Sequence, residues 1–444
     1  MNSISVPTAT RSENANRVKQ TQAEGLSSPS GWPRIILFCS LIFGFMAFSL
    51  LGWTFNKSKL SPYENRPYAC FPHLTLSRQS IMAFPAGFEA YANDRFPLRF
   101  QLTALSNFLT WKLFNVSARD DVLAGKDGWL FYLDMGNREF LRHDSLTPEK
   151  LKLLVRTFED RRRWLALHNI RYFLVFVPCK CEMYPEKIPR QYRPLRAESI
   201  KDQLVAALKN QTSVDVLDLK KDMLQAQSRC EFPLYLVTDT HWNALGAFVA
   251  YQAITDHLRE MYPAIKPLQC HDLIFGSQVR PGGDLAGMLG LRDYVPEKGT
   301  VAIVKNRHWV HSSRPPLPDL NSETGHNKPF ATEVNDPSLP KAYVLRDSFS
   351  TFLQLYLSEN FKRAYFHWNY TRSEKDDFLT QEILNEHPDI VIQEMAENVL
   401  ALDAIPNPPE VESELANISQ SDSKSAKVEN QNAPNRSSLN SGER

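Results

Sequence analysis

Residues 172–177 read YFLVFV, and this short run decides the fold class. It is continuously apolar and rich in aromatic and β-branched side chains, which is typical of a strand buried on both faces of a sheet. A helix is expected just before it, because Thr147 can cap a helix, Pro148 suits the first helical position, and apolar residues follow at helical spacing up to Leu165. A helix followed at once by such a strand indicates a sheet covered by helices.

The same alternation of helix and strand continues along the chain. We predict further helices near 197–209, 243–260, 350–359 and 375–385, and further strands at 214–217, 341–345, 363–367 and 389–393. The stretch 312–340 holds six prolines and little periodicity, so a long surface loop is expected there. The pattern predicts an α/β fold, a three-layer α/β/α domain with a mostly parallel sheet.

Composition excludes several classes of protein. The 444 residues carry 51 Lys and Arg against 50 Asp and Glu, so the chain lacks the strong basic character of a nucleic-acid-binding protein. A mean hydropathy of −0.37 excludes a multi-spanning membrane protein. Six cysteines are too few for a disulfide scaffold. A soluble, globular bulk remains.

One segment departs from this average. Residues 35–55 are apolar and uncharged, and as a helix they would extend roughly 31 Å, enough to cross a bilayer. Trp32 and Trp53 lie at its ends, where interfacial aromatic residues are common. We predict an uncleaved transmembrane signal anchor over 32–56, with a cleaved signal peptide and a buried core helix as alternatives. Basic residues are nearly balanced on its two sides, so charge leaves the topology open.

The two ends of the chain are polar. Residues 1–31 are rich in Ser, Thr, Asn and Gln, and 404–444 contain no aromatic residue. Both are predicted to be disordered tails. The remaining residues, 57–403, are predicted to form one enzyme-like domain.

Ser348 is the first residue that could carry chemistry. A buried strand ends at about Arg346 and an apolar helix begins just after, so Ser348 lies on a strand-to-helix turn. Ligands bind at such turns in open α/β sheets, and the amides of the following helix N-terminus can stabilise an oxyanion. The alternative is that Ser348 or Ser350 merely caps the helix.

Asp239 and His241 form the second candidate. A nucleophilic serine needs a base, and a histidine base needs a carboxylate that fixes its tautomer. The alternatives are a helix-capping Asp beside a partly exposed His, or metal ligation. The sequence holds no further compact His, Cys or Asp cluster with ligand spacing, so neither a metal nor a cofactor is predicted.

Cys179 and Cys181 form the third candidate. A Cys-x-Cys pair can serve redox chemistry or bind metal, but no second pair exists in the sequence. In an oxidising compartment the two thiols would be free or bonded to distant cysteines, Cys70 among them. Five cysteines lie outside the predicted anchor, so at least one is unpaired or pairs between chains.

Eight short motifs occur in a fixed order along about residues 60–402. They are Glu64–Pro67, Phe88–Tyr91 with Asp94–Arg99, Gly125–Tyr132, Val177–Pro178 with Lys180 and Tyr184–Glu186, Asp239–Trp242, Gly282–Leu285, Asp347–Phe349 and Pro388–Val391. Together they resemble the SGNH-hydrolase-like proteins of bacterial exopolysaccharide O-acetylation, the alginate AlgX/AlgJ type.

This resemblance implies roles for three residues. Ser348 matches the nucleophile of the family, His241 its base and Asp239 the orienting acid. Their order is reversed relative to ordinary SGNH esterases, as the permuted topology of the family implies. Arg346 replaces the glycine of a Gly-Asp-Ser block and no Gly-x-Asn-Asp block is present, so the Ser348 amide is the one oxyanion donor we name.

The resemblance also implies an activity and a location. It implies an O-acetyltransferase that passes an acyl group through an acyl-serine to hydroxyls of an exported polysaccharide. AlgX-type members add a C-terminal carbohydrate-binding module, whereas the chain after Leu402 is disordered in composition, so it looks closer to the membrane-anchored AlgJ type. That type implies a single pass through the inner membrane, a periplasmic or extracellular catalytic domain, and a multi-span membrane O-acyltransferase as acyl donor. An acetyl-esterase with the same triad and a non-catalytic, glycan-binding envelope scaffold stay open.

Several residues are candidates for contact with the sugar. The near-zero net charge provides no general attraction for an acidic polymer, so a preference for one would need local basic residues near Ser348. Aromatic rings can stack on sugars, although they are as often part of a core. The candidates are Trp242, Trp368 and Tyr370 for stacking, and Lys180, Tyr184 and Arg346 for polar contact.

Overall fold

The computed structural model describes residues 32–55, 67–96, 98–133, 146–192, 198–314, 328–369, 378–397 and 405–418. The predicted tail 1–31 and Tyr370 lie outside these residues. The chain divides into two compact units, residues 1–103 and 104–444.

The first unit is helical. It holds α1 (Trp32–Phe55), α2 (Arg78–Arg95) and the beginning of α3 (Arg99–Phe114). The Ser77 hydroxyl caps α2 by accepting the amide of Ser80, and the ring of Phe71 packs edge-on against Tyr91. Within the described residues, no helix combines the length and apolar character needed to cross a membrane. The signal anchor over 32–56 stays a prediction.

The second unit contains a seven-stranded mixed sheet. Its strands are β3 (Arg171–Val177), β4 (Asp215–Asp218), β7 (Val310–His311), β8 (Phe330–Glu333), β9 (Lys341–Arg346), β10 (Arg363–Trp368) and β11 (Ile390–Ala396). They lie in the order β4-β3-β11-β9-β10-β8-β7. The first five pair in parallel, and the last two pairings are antiparallel. The prediction of a mostly parallel sheet is confirmed.

Helices alternate with these strands along the chain. They are α4 (Pro148–Leu167), α5 (Lys180–Met183), α6 (Ile200–Gln211), α7 (Lys220–Gln227), α8 (Ala244–Met261), α9 (Asp284–Met288), α10 (Ser350–Leu357) and α11 (Thr380–Glu386). The Thr147 hydroxyl accepts the amide of Lys150, as the sequence predicts for the start of α4. Every residue of β11 is buried, because this strand lies inside the sheet. The predicted helices and strands between 147 and 393 all occur, with ends shifted by a few residues.

Two small antiparallel pairs lie beside the main sheet. Strands β1 (Val122–Ala124) and β2 (Leu130–Tyr132) form one, and β5 (Leu273–Arg280) and β6 (Glu297–Val304) form the other. The predicted loop 312–340 is wrong at β8, which pairs with β10. The prolines around it suggested a loop, whereas its buried Phe330 and Ala331 stabilise the pairing.

The predicted disordered tail is wrong at its beginning. Residues 409–418 are helical, and Val411 and Leu415, one turn apart, are buried. The indole of Trp164 donates to Glu414 at 2.7 Å, and the Arg161 guanidinium donates to the Pro406 carbonyl at 2.8 Å. Two buried apolar side chains at helical spacing and these two hydrogen bonds hold an otherwise polar segment against the rest of the unit.

Candidate active site

Ser348 lies on the turn between β9 and α10, at the carboxyl edge of the parallel strands. Buried acidic side chains fix this turn. The Asp347 carboxylate accepts the amides of Phe349 at 2.8 Å and Ala396 at 2.7 Å. Glu394 on β11 accepts both the Asp347 amide, at 3.1 Å, and the Ser350 hydroxyl, at 2.9 Å. The turn is therefore held from the neighbouring strand.

The hydroxyl of Ser348 points to a histidine. His241 Nε2 lies 2.7 Å from Ser348 Oγ, and His241 Nδ1 lies 2.7 Å from Asp239 Oδ1. Neither serine caps α10 through its side chain, because the Ser350 hydroxyl is directed to Glu394. The structure thus brings Asp239, His241 and Ser348 into one hydrogen-bonded chain.

Asn243, not Asp239, caps the helix that follows the base segment. Its side-chain oxygen accepts the amides of Leu245 at 2.9 Å and Gly246 at 3.1 Å at the start of α8. Asp239 is therefore free of the capping role that was its alternative. Its carboxylate accepts the backbone amide of His241 at 3.1 Å in addition to facing the ring.

The charges of the pair stabilise each other. Burial alone would raise the pKa of Asp239, but the hydrogen bond and positive charge of His241 hold it well below its ordinary value. Burial alone would lower the pKa of His241, but the hydrogen bond and charge of Asp239, with Asp284 and Asp347 nearby, raise it above its ordinary value. The imidazolium is therefore stabilised, as a histidine that accepts a serine proton requires.

A buried lysine and a buried glutamate hold the backbone of the base segment, residues 237–241. The ammonium of Lys180 donates to the carbonyls of Leu130, Val237 and Asp239 at 2.7, 2.8 and 2.9 Å. Glu297 on β6 accepts the amides of Val237 at 3.0 Å and Thr238 at 2.6 Å. No sequence pattern predicts this role of Glu297, because it lies about sixty residues along the chain from Val237 and Thr238.

Four predicted sugar contacts are wrong, because the side chains are buried. Trp242 is fully buried, and its indole donates to the Phe349 carbonyl at 2.9 Å. Tyr184 is buried, and its hydroxyl accepts the Leu234 amide at 2.7 Å. Lys180 uses its ammonium on three carbonyls. Arg346 is 4% exposed and lies over the Phe330 and Trp368 rings, and burial lowers its pKa to about 10. Trp368, half-buried, stays a prediction.

A small cavity of about 20 Å³ lies beside the triad, enough for roughly one water molecule. Thr240 and Phe349, the neighbours of His241 and Ser348, contribute to its wall. The other lining residues are Tyr132, Cys179, Lys180, Cys181, Ala396 and Glu397.

Two groups of side chains have donor atoms close enough to hold a metal ion. One is Asp239, His241 and Asp284, and the other is Cys179, Glu182 and Glu397. In the first, a cation would compete with the hydrogen bond between Asp239 and His241. In the second, Glu182 already pairs with Lys220.

All six cysteines lie among the described residues and are free, so the disulfide considered for Cys70 is absent there.

Comparison with known proteins bears on this geometry. The family model of the SGNH hydrolase-like domain of the acetyltransferase AlgX matches residues 122–313, which include Asp239 and His241. The resemblance to the AlgX/AlgJ type is confirmed. The chain is 31% identical over 204 residues to a probable alginate O-acetylase AlgJ of Pseudomonas aeruginosa, a match covering 46% of this chain and 50% of that protein.

Other AlgJ proteins give similar matches. The probable alginate O-acetylase AlgJ of Azotobacter vinelandii is 25% identical over 248 residues, which cover 53% of this chain and 60% of that one. The chain thus spans about half of the length of the curated relatives it matches. The solved O-acetyltransferase domain of Pseudomonas putida AlgJ aligns with 67% of this chain and 99% of its own, at 22% identity and a TM-score of 0.44. The prediction of an SGNH hydrolase-like α/β fold is supported by the family model over residues 122–313 and by the mixed sheet of the second unit.

Proposed function

We propose that the protein is an O-acyltransferase that moves an acyl group, acetyl by its resemblance, onto hydroxyls of an exported polysaccharide. The observation that carries this proposal is the hydrogen-bonded chain from Asp239 through His241 to Ser348, at 2.7 Å for each link. A serine, a histidine and a carboxylate in this arrangement are the parts of a nucleophilic acyl-transfer site.

In the first half-reaction, Ser348 Oγ attacks the carbonyl carbon of the acyl donor. Its proton passes to His241 Nε2. Asp239 accepts the hydrogen bond from His241 Nδ1–H, which keeps that proton on the ring, and its charge stabilises the imidazolium. The backbone amide of Ser348 is the donor we assign to the oxyanion. When the tetrahedral intermediate collapses, the leaving group takes the proton from Nε2 and the acyl-serine remains.

In the second half-reaction, a sugar hydroxyl attacks the acyl-serine carbonyl. His241 Nε2 accepts the hydroxyl proton and returns it to Ser348 Oγ as the ester bond to serine breaks. The products are an acylated sugar and the free enzyme. Water in place of the sugar would make the same site an esterase.

The acceptor and the cellular setting belong to this proposal. Alginate appears in the names of the relatives, and this supports an exopolysaccharide as acceptor. Because Arg346 is buried, an anionic polymer would have to be recognised by other groups. We infer a single-pass anchor over 32–56 in the inner membrane, a periplasmic or extracellular domain, and a multi-span membrane O-acyltransferase that supplies the acyl group.

The test is to trap the acyl-serine. The full chain is mixed with a chromogenic acetyl ester and a sugar oligomer, quenched, and analysed by mass spectrometry of its peptides and of the sugar. We expect acetyl on the Ser348 peptide and on the sugar. Ser348→Ala should lose both, whereas Ser277→Ala, on the exposed edge of β5, should keep both.

Two outcomes would contradict the proposal. If ester turnover in folded Ser348→Ala equals that of the unaltered chain, Ser348 is not the nucleophile. If the Ser348 peptide is acetylated but sugar oligomers only lose acetyl and never gain it, the protein is an esterase.

A further inference from the structure

We propose that Asp284 is a positioning residue for His241, holding the backbone of its segment and presenting a second negative charge to its Nδ1 edge. This inference rests on the proposed function of the Asp239–His241–Ser348 triad. It also gives a physical meaning to the Gly282–Leu285 motif, whose role the triad leaves unexplained.

The Asp284 carboxylate reaches the base segment with both oxygens. Its Oδ1 accepts the backbone amide of Thr240 at 2.8 Å, directly before His241. Its Oδ2 lies 3.7 Å from His241 Nδ1, on the same ring edge that Asp239 faces. In return, the Asp284 amide donates to Asp239 Oδ2 at 3.3 Å. Asp284 therefore lies against both partners of the hydrogen bond between Asp239 and His241.

The glycine before Asp284 makes this approach possible. A β-carbon on Gly283 would lie 2.4 Å from the β-carbon of Asp239, closer than side-chain atoms can pack. The Gly283 amide donates to the Thr238 hydroxyl at 3.0 Å, and the Ala286 amide donates to the Thr238 carbonyl at 3.2 Å. The start of α9 therefore packs directly against the base segment.

The charges around His241 determine what Asp284 can do. Asp239, Asp284 and Asp347 all favour the imidazolium. Two positively charged groups lie nearby. The Arg280 guanidinium is 4.0 Å from Asp239 Oδ2, and the Lys180 ammonium donates to the Asp239 carbonyl. The Asp284 side chain is 42% exposed, so solvent screens its charge and its effect is smaller than that of Asp239.

The test measures how fast phenylmethylsulfonyl fluoride modifies Ser348 of the full chain between pH 5 and 9. Peptide mass identifies the modified serine, and the pH midpoint of the rate reports when His241 becomes a base. We expect Asp284→Asn to lower this midpoint by about 0.5 to 1 pH unit, because a negative charge beside the imidazolium is lost. Asp284→Glu keeps the charge and should keep the midpoint. Asp293→Asn, at an exposed carboxylate just after this helix, should match the unaltered chain.

The maximal rate of the pH profile, called the plateau below, distinguishes the two roles of Asp284, which are holding the backbone and supplying charge. Asp284→Ala removes the acceptor for the Thr240 amide, so we expect its plateau to fall roughly tenfold, whereas Asp284→Asn retains an acceptor oxygen and should recover most of the rate. Thermal melts check the fold of each variant.

Three outcomes would overturn the inference. One is an Asp284→Asn midpoint equal to that of the unaltered chain, and another is an equal plateau loss in the Asn and Ala variants. The third is an Asp284→Glu midpoint that falls although the charge is kept, a comparison that still decides the matter if the Asn variant fails to fold. If the unaltered chain is not modified at Ser348, the proposed nucleophile itself fails, and the peptide masses distinguish that result from the others.

Discussion

The nucleophile turn, residues 346–350, and the base segment, residues 237–241, meet at one hydrogen bond but are held in different ways. The nucleophile turn is fixed by two buried acidic residues, Asp347 within the turn itself and Glu394 on the neighbouring strand β11. The base segment is fixed by Lys180, Glu297 and Asp284, which come from three separate parts of the chain. The nucleophile turn is therefore held by the strand beside it, and the base segment is held by charged side chains from elsewhere in the chain.

This difference predicts different sensitivities to substitution. In the nucleophile turn, burial and repulsion from Asp347 raise the pKa of Glu394 well above its ordinary value, so we expect the size and hydrogen bonds of Glu394 to matter more than its charge. In the base segment, the ionised Asp239 is directly involved in the proposed chemistry. We therefore expect the base segment to depend on charge and the nucleophile turn to depend on shape.

The largest effect is expected for Asp239→Asn. The amide retains the size of the side chain but cannot stabilise the imidazolium or enforce the required tautomer, so turnover of an acetyl ester should fall by about 10⁴-fold. The measurement is the initial rate with a chromogenic ester, with circular dichroism as the check of the fold. Asp256→Asn, at an exposed carboxylate of α8, is the matched control. Turnover of Asp239→Asn within tenfold of the control would remove Asp239 from the triad.

The second effect is expected for Lys180→Met. Methionine has a similar length, but the carbonyls of Leu130, Val237 and Asp239 would lose their shared donor. The Val237 carbonyl would keep the Leu130 amide as a donor at 3.0 Å. Leaving a buried carbonyl without a partner costs about 1–3 kcal/mol, so we expect a clearly lower free energy of unfolding in urea. Turnover should fall by roughly 100-fold where the chain is still folded. Lys298→Met, at an exposed position on β6, should leave both quantities unchanged.

A stability of Lys180→Met equal to that of the unaltered chain would contradict the holding role of Lys180. Loss of stability with full turnover would show that the sheet alone positions the base segment, and would remove the contrast between the two regions.

The sequence predicts the nucleophile turn better than its surroundings. The apolar strand, the polar turn and the apolar helix around Ser348 are local signals, and the same holds for the cap and helix after His241. The role of Lys180 depends on carbonyls fifty or more residues away, which no periodicity reports. The same reason explains why the sequence makes Trp242 and Arg346 candidates for sugar contact although both are buried: a polar or aromatic residue on a turn is buried or exposed according to what the distant chain packs against it.

The third effect concerns pH. The pKa of His241 is raised above its ordinary value, so turnover should rise as pH increases through this pKa and the imidazole loses its proton. Burial lowers the pKa of Lys180 to about 8, although Glu297 and Asp239 oppose the change. Its three hydrogen bonds need the ammonium form, so turnover should fall as pH increases past about 8. We expect a bell-shaped profile of kcat/KM.

Substitution of Asp284 should shift this profile. Asp284→Asn should move the acidic side to lower pH, because the charge of Asp284 raises the pKa of His241. The same charge supports the Lys180 ammonium, so the alkaline side should also move to lower pH. A profile that stays flat from pH 8 to 10 in the unaltered chain would show that Lys180 keeps its proton or that its charge is not needed.

The smallest effect is expected for Glu394→Gln. Because burial favours the neutral form of Glu394, glutamine is a close match to its shape and can still accept the Asp347 amide and the Ser350 hydroxyl, so ester turnover should remain within about threefold. Glu394→Ala removes both acceptors and leaves a space inside the sheet, and should lower the free energy of unfolding by about 2–4 kcal/mol. Urea unfolding and ester turnover measure the pair. If Glu394→Gln lost activity as severely as Asp239→Asn, the nucleophile turn would depend on charge as well, and the two regions would differ only in where their charges come from.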